Sequence, residues 1–247
     1  MPSSPIAEAV AAAWSNEAGT RKRLLDLSCG GGDTAKMLAE KGFFTIATEY
    51  STLPFLGDHI PRVGGVNLNQ PLPFKTSAID GVNLTEVIEH IENQGQLIRE
   101  IARVLKSGGI VVISTPNVLN IVSRLRFLFT GFVRGRVRPA HYSKPPGQAP
   151  NIYMINLYEL YYLCFHSGLE IERLFKTRIK FASIFFLPLL YPWMWLVSII
   201  AVIHAEKDAR QRQYNWQILK LLFNPVLLLS DNIVVKARKR ALASQPS

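Results

Sequence analysis

Leu24-Leu25-Asp26-Leu27-Ser28-Cys29-Gly30-Gly31-Gly32-Asp33-Thr34 runs from an apolar segment through a carboxylate into a glycine-rich turn and a helix start. Glycines tolerate positive φ and let the backbone turn tightly and approach a ligand closely. The spacing predicts a helix over residues 35–40 capped by Asp33 or Thr34, with its orphan N–H groups aimed at that ligand. Thr45-Ile46-Ala47-Thr48 reads as the next strand. Glu49 closes it about 20 residues after the turn, where an open parallel sheet places an acidic group for ribose hydroxyls.

The rest of the chain alternates in the same way. Short apolar runs at residues 22–27, 65–68, 81–84 and 110–114 read as strands buried on both faces. A helical pattern over residues 96–105 closes at Gly108-Gly109. Strands at 168–176 and 231–237 complete the set. Strand, helix, strand implies a parallel sheet with right-handed crossovers.

These stretches resemble the class I S-adenosylmethionine-dependent methyltransferases. The first motif of that family reads acid-x-Gly-x-Gly-x-Gly, and Asp26, Ser28, Gly30 and Gly32 stand at its marked positions, with Ser28 in place of the first glycine. The likeness continues through Val66–Phe74, Ile79-Asp80-Gly81-Val82, Thr85-Glu86-Val87-Ile88-Glu89-His90-Ile91, Val104–Gly109 and Ser114-Thr115-Pro116-Asn117. It implies an α/β fold, a doubly wound, mostly parallel Rossmann-like sheet of seven strands. It also implies S-adenosylmethionine as methyl donor. Asp26, Ser28, Gly30 and Gly32 would line its methionine part, Glu49 its ribose, and Asn67 and Leu68 its adenine, with Thr85 completing the donor set.

His90 follows the fourth strand at the acceptor edge, and its unperturbed pKa near neutrality makes it a candidate general base with Glu86 beside it. The alternative is that Glu89 and His90 cap or salt-bridge the next helix. Glu86, Glu89 and His90 at i, i+3 and i+4 converge if they share a helical turn. That run resembles the metal-binding Glu-x-x-Glu-His of small-RNA 2′-O-methyltransferases and of ubiquinone O-methyltransferases, which would imply a divalent metal. The downstream histidine of the RNA enzymes aligns near Asn151, where this chain has none, and His141 is the alternative candidate.

Two cysteines, Cys29 and Cys164, give no disulfide framework, which suits a reducing compartment. The N-terminus lacks a secretory pattern and its apolar spacing predicts a short helix. The net charge is +10, and no acidic residue occurs between Glu100 and Glu159. That window holds Arg103, Lys106, Arg124, Arg126, Arg134, Arg136, Arg138 and Lys144, a surface that attracts phosphates.

The methyltransferase domain is expected over residues 1–176 plus 231–240, with an apolar helical insert at 177–230 before the last strand and a tail at 241–247. Residues 181–205 carry no formal charge. A continuous helix of that length would reach about 37 Å, but Pro188 and Pro192 predict a break that leaves only residues 193–205 intact, too short to cross a bilayer. Both flanking strands lie on one side of any membrane, so a shallow or re-entrant hairpin is expected. Lys176, Arg178 and Lys180 before it, with Lys207, Arg210 and Arg212 after it, suit an anionic cytoplasmic leaflet. Trp193 and Trp195 suit an interfacial belt. A second apolar stripe, Val118, Ile121, Val122, Leu125, Leu128, Phe129 and Phe132, is flanked by Arg124 and Arg126, whose stems would snorkel to headgroups. A lid or dimer interface is the competing reading of the insert.

The leading functional expectation is O-methylation of an amphipathic or lipid-linked small molecule at the cytoplasmic face of the cell membrane, with peripheral or monotopic attachment. An RNA methyltransferase is the alternative, opposed by the apolar insert and the lack of a separate RNA-binding module. A membrane-bound, non-catalytic S-adenosylmethionine-binding protein is the third reading.

Overall fold

The computed structural model describes residues 4–17, 22–50, 59–132, 153–205 and 208–241. Arg134, Arg136, Arg138, His141, Lys144, Asn151, Lys207 and the tail from residue 242 lie outside them. Seven strands form one sheet, β1 (Arg23–Asp26), β2 (Phe44–Glu49), β3 (Arg62–Gly64), β4 (Ile79–Thr85), β5 (Leu105–Pro116), β6 (Leu169–Lys176) and β7 (Asn232–Lys239), in the order β3-β2-β1-β4-β5-β7-β6. The pairings from β3 to β5 are parallel, while β7 runs antiparallel to both β5 and β6. The doubly wound expectation holds, and the direction in which successive strands are added reverses between β1 and β4, where such sheets open a crevice at their carboxyl ends.

Helices cover both faces. Against one face lie α1 (Pro5–Trp14) and α2 (Asp33–Glu40), which with Leu24, Phe43, Ile110, Val112 and Val234 bury one apolar cluster. Against the other lie α3 (Gln94–Val104) and α5 (Leu157–His166), packed on Leu25, Val82, Leu84, Val111 and Ile113. Successive strand residues point to opposite faces, so Leu24 and Leu25 serve different cores and both are fully buried. Beyond the carboxyl end of β5 follows α4 (Ile121–Thr130).

Several boundaries differ from expectation for local reasons. The third strand ends at Gly64, before Asn67 and Leu68. The Asn67 side chain accepts from the Asn69 backbone and its carbonyl accepts from Gln70, so the run expected as strand is an Asx turn. Gly108 and Gly109 do not end α3. They lie inside β5, where pairing jumps from Leu105↔Ile79 to Ile110↔Gly81 and the intervening residues bulge. The cap of α2 is Gly32, at φ 91°, with no side-chain capping bond, rather than Asp33 or Thr34.

The insert joins β6 to β7. It comprises α6 (Phe181–Ala205), α7 (Ala209–Leu222) and α8 (Pro225–Leu229). Contrary to the expected break, α6 runs unbroken through Pro188 and Pro192. Each proline removes one i→i−4 bond, and the bonds of the other residues carry the helix across both positions. The base is pinned shut by an Ile179↔Ser230 bridge, by Lys180 N–H donating to the Leu229 carbonyl at 3.0 Å, and by Asn117 Nδ2 donating to the Leu227 and Ser230 carbonyls.

Trp14 closes the α1 face over Gly81, and a Cβ built there would sit 2.7 Å from the indole. Gly81→Ala should therefore lower stability by about 1–3 kcal/mol through overpacking. Denaturant titration checks this; an unchanged midpoint would show that the indole moves aside without cost.

Candidate active site

The crevice between β1 and β4 is built from backbone outward. Leu27 N–H donates to the Asn83 carbonyl, and Cys29 N–H to the Thr48 carbonyl, so the chain leaving β1 stays hydrogen-bonded to both neighbouring strands as it turns. Ser28 N–H donates to Thr48 Oγ1 at 3.2 Å. Ser28 occupies the left-handed region at φ 55°, a conformation that the glycine usual at its motif position adopts without strain. Gly30 follows at φ 53°, and a Cβ there would meet open space.

Two carboxylates converge under this turn. Glu49, at the end of β2, is buried and accepts from Gly30 N–H at 2.7 Å and from Tyr50 N–H at 2.8 Å. Asp26 is 1% exposed. Its Oδ1 accepts from Asn83 Nδ2 at 2.8 Å, while its Oδ2 has no hydrogen-bond partner among the described residues. Burial, reinforced by the Glu49 charge and opposed by the Asn83 bond, pushes the Asp26 carboxyl up to about 7. Burial and the same two carboxylates raise the Cys29 thiol to about 11, so it stays neutral there. Thr85 Oγ1 accepts from Asn83 at 2.9 Å. Asn67 and Leu68 sit in the turn after β3, Asn67 half-buried and Leu68 buried.

The structure thus brings Asp26, Ser28, Gly30, Gly32, Glu49 and Thr85 to one sheet edge. It does not bring Glu86, Glu89 and His90 together. Glu86 sits at φ 54° ahead of a short 3-10 turn, Ile88–His90, so the three share no helical turn. Glu86 accepts from Ser114 Oγ at 2.9 Å and from Asn232 Nδ2 at 2.6 Å. Glu89 is buried beneath, toward Thr115 Oγ1, and His90 faces solvent. Among the described residues no three metal-ligating side chains cluster. As placed, Glu86, Glu89 and His90 do not form a set of ligands for a divalent ion.

Sequence reasoning passed over Asn83, Ser114 and Asn232. Asn83 carried a signal, an amide between Val82 and Leu84 in a strand buried on both faces. Ser114 and Asn232 carried none, because their roles arise from β5 and β7 meeting across more than a hundred residues. At the opposite edge of the sheet a cavity of about 120 Å³ lies under Trp14 and Gly81. Its rim cations Lys106 and Arg238 already pair with Asp80 and Glu17, so it is charge-satisfied.

A methyltransferase-domain family model matches residues 3–177. A probable S-adenosylmethionine-dependent methyltransferase of Mycobacterium tuberculosis is 34% identical over 101 residues, 40% of this chain and 37% of that protein. A ubiquinone biosynthesis O-methyltransferase of Rickettsia canadensis is 29% identical over 164 residues, 63% of this chain and 65% of the relative. The chain therefore spans between about a third and two thirds of the length of these relatives. Among solved structures, a SAM-dependent methyltransferase from Archaeoglobus fulgidus superposes with a TM-score of 0.55 at 18% identity, covering 94% of both chains. That likeness is one of fold.

The Asp26 carboxyl titrates near 4 when unfolded and near 7 when folded. Between those values the folded state holds a proton that the unfolded state releases, so stability is lost as pH rises through the window. Asp26→Asn should be more stable than wild type at pH 8, with the gap narrowing as pH falls toward 5. Thermal melts across that range test it; a gap independent of pH would contradict the burial argument.

Proposed function

The chain belongs to the class I S-adenosylmethionine-dependent methyltransferases, and from that premise we propose that it methylates an oxygen of an amphipathic or lipid-linked acceptor at the cytoplasmic surface of a membrane. S-adenosylmethionine is the methyl donor. The reading of the donor site rests on the orphaned Asp26 Oδ2, a buried anionic atom suited to the donor's cationic amino group, and on the open space beside Gly30. Glu49, tied to the turn through Gly30 at the end of β2, is the carboxylate we assign to the ribose hydroxyls.

The acceptor oxygen attacks the sulfonium methyl in line, the carbon–sulfur bond breaks, and S-adenosylhomocysteine leaves. The acceptor's proton must go elsewhere, and Glu86 is the group we assign to take it. Ser114 on β5 and Asn232 on β7 each bond one of its oxygens, which fixes the carboxylate and leaves each oxygen a lone pair. Exposed His90 has no role in this reading.

A single observation carries the membrane reading. The helix α6 is long and apolar enough to cross a bilayer, yet none of its apolar side chains from Phe181 to Ile203 is buried within the protein. Phe181, Phe185, Leu189, Trp193 and Val197, at intervals of four, are 63–86% exposed. Its inner side is held by Tyr191 and Trp195 against Phe223. Trp195 therefore packs internally, and Trp193 alone of the pair faces outward. The exposed end of α4 adds Phe127, Leu128, Phe129 and Phe132. The expected α4 stripe splits in two, because Val118 and Ile121 join the core. Arg124 does not snorkel; it is half-buried and its Nε donates to the Leu119 carbonyl at 2.7 Å.

A perpendicular crossing conflicts with the pinned base of the hairpin. It would carry Asp208 and Arg212 through the bilayer and bring polar α7 back across. The helix lies in the interface plane instead. Eight exposed Phe, Leu, Ile and Val residues on α6 contribute roughly 2–5 kcal/mol at most, at about 0.3–0.6 kcal/mol each. The charge term is smaller than the sequence implied, since Arg178 and Lys180 are spent on Asp231 at 2.9 Å.

Because the apolar term dominates, the protein should sediment with phosphatidylglycerol vesicles and stay bound in high salt. Phe185→Glu combined with Trp193→Glu should release it while leaving donor affinity unchanged. A protein that is monodisperse without detergent and ignores vesicles would make the face an oligomer contact or a lid. Glu86→Gln should lower turnover on a membrane lipid extract about 100-fold, and His90→Ala less than threefold. Radiolabelled methyl incorporation measures both, and the reverse order would return the proton to His90.

A further inference from the structure

The Trp14 indole Nε1–H donates to Asn83 Oδ1 at 3.2 Å, and both residues are buried. An indole N–H is a donor and nothing else, so it fixes which end of the amide faces α1. The Asn83 nitrogen must then face the other way, and its two hydrogens go to Asp26 Oδ1 at 2.8 Å and Thr85 Oγ1 at 2.9 Å. Every polar atom of the Asn83 side chain is engaged, in a strand whose neighbours Val82 and Leu84 are fully buried.

We propose that Trp14 and Asn83 are positioning residues, a two-step relay by which the N-terminal helix α1 orients and ionises Asp26 for the donor. This rests on the assignment of Asp26 to the donor's amino group. Asn83 supplies the only hydrogen bond that the Asp26 side chain accepts among the described residues, since Oδ2 has none. Thr48 Oγ1 reaches only the Asp26 backbone carbonyl. An amide turned the other way would set its oxygen against the carboxylate and favour the protonated acid. The indole prevents that flip.

The indole has little freedom of its own. It stacks edge-on to Phe43 at 5.5 Å between ring centres and lies directly over Gly81. α1 is in turn fixed at its start, where Ser4 accepts from Ala7 N–H ahead of Pro5. Displacing α1 therefore removes the donor to Asn83 without touching the glycine turn.

The charged and titratable groups facing Asp26 are few. Glu49 on β2 opposes its ionisation, as does burial, and Asn83 on β4 favours it. Cys29 in the turn stays neutral across the accessible range, and Arg62 on β3 acts on that thiol. Among the described residues, Asn83 is thus the polar group that both favours the charged form and is adjustable by a neighbouring helix.

The test measures S-adenosylhomocysteine affinity by calorimetry from pH 6 to 9, beside the side-chain carboxyl titration of Asp26 by carbon NMR without ligand. Asn83→Val should move the Asp26 midpoint upward by about one pH unit, from about 7 toward about 8, which lowers the ionised fraction at pH 7 and weakens binding there about fivefold, with recovery toward pH 9. Trp14→Phe keeps the ring packing and loses only the donor, and should shift both quantities the same way by less. A loss of affinity equal at every pH, with the Asp26 midpoint unmoved, would reduce both residues to structural roles and overturn the relay. Asp26→Asn separates the two layers: if it leaves affinity intact, the donor assignment fails, while the NMR midpoint still decides the relay.

Discussion

Holding the Asp26 carboxylate in the dry interior at the end of β1 is the constraint that organises this structure. Burial of an anion is expensive unless bonded. Here the cost is met only in part, by one amide hydrogen bond, while Glu49 lies near enough to add repulsion. The surroundings are arranged to hold that position. Thr48 binds the turn, Gly30 ties down Glu49, and Ser28 accepts left-handed backbone so that the chain clears the carboxylate. Local stability is given up at the place where a cationic ligand would restore it.

The same sheet edge carries a second carboxylate with a different environment. Glu86 is gripped by Ser114 and Asn232 and is half-exposed, whereas Asp26 is buried with one oxygen unpaired. Two carboxylates held so differently on neighbouring strands suit two different tasks, one toward a positive charge and one toward a proton in transit. Thr177 and Asn232 exchange hydrogen bonds between the ends of β6 and β7, so the strand that grips Glu86 is also the one that closes the insert.

That closure explains why a helix of 25 residues lies on the protein's surface. β6 and β7 pair directly, so whatever leaves β6 must come back to the start of β7. The path out along α6 is apolar and the path back along α7 is polar, which opposes a bilayer crossing and leaves one face of α6 uncovered. The uncovered faces of α6 and of the end of α4 belong to helices that pack on each other. An apolar area of this extent needs a partner.

The apolar strand, the carboxylate and the glycines spaced before Asp33 were enough to predict the sheet and the edge at which Asp26, Gly30 and Glu49 meet, because period and turn chemistry are local. Asp26, Glu49 and Gly30 were legible for that reason. The boundaries that moved did so where tertiary pairing outweighed local signals. Asn67 bonded its own turn rather than extending β3, and Gly108-Gly109 joined β5 as a bulge because β4 lay alongside. Pro188 and Pro192 predicted a break that the bonding of the other residues in α6 overrode. The spacing of Glu86, Glu89 and His90 promised convergence, but Glu86's left-handed backbone sent the three side chains apart. Trp14, Ser114 and Asn232 gain their roles only from contacts 28 to 146 residues distant in the chain. A hydrogen bond of that span has no signature in either partner's neighbourhood, so only the folded sheet could reveal it.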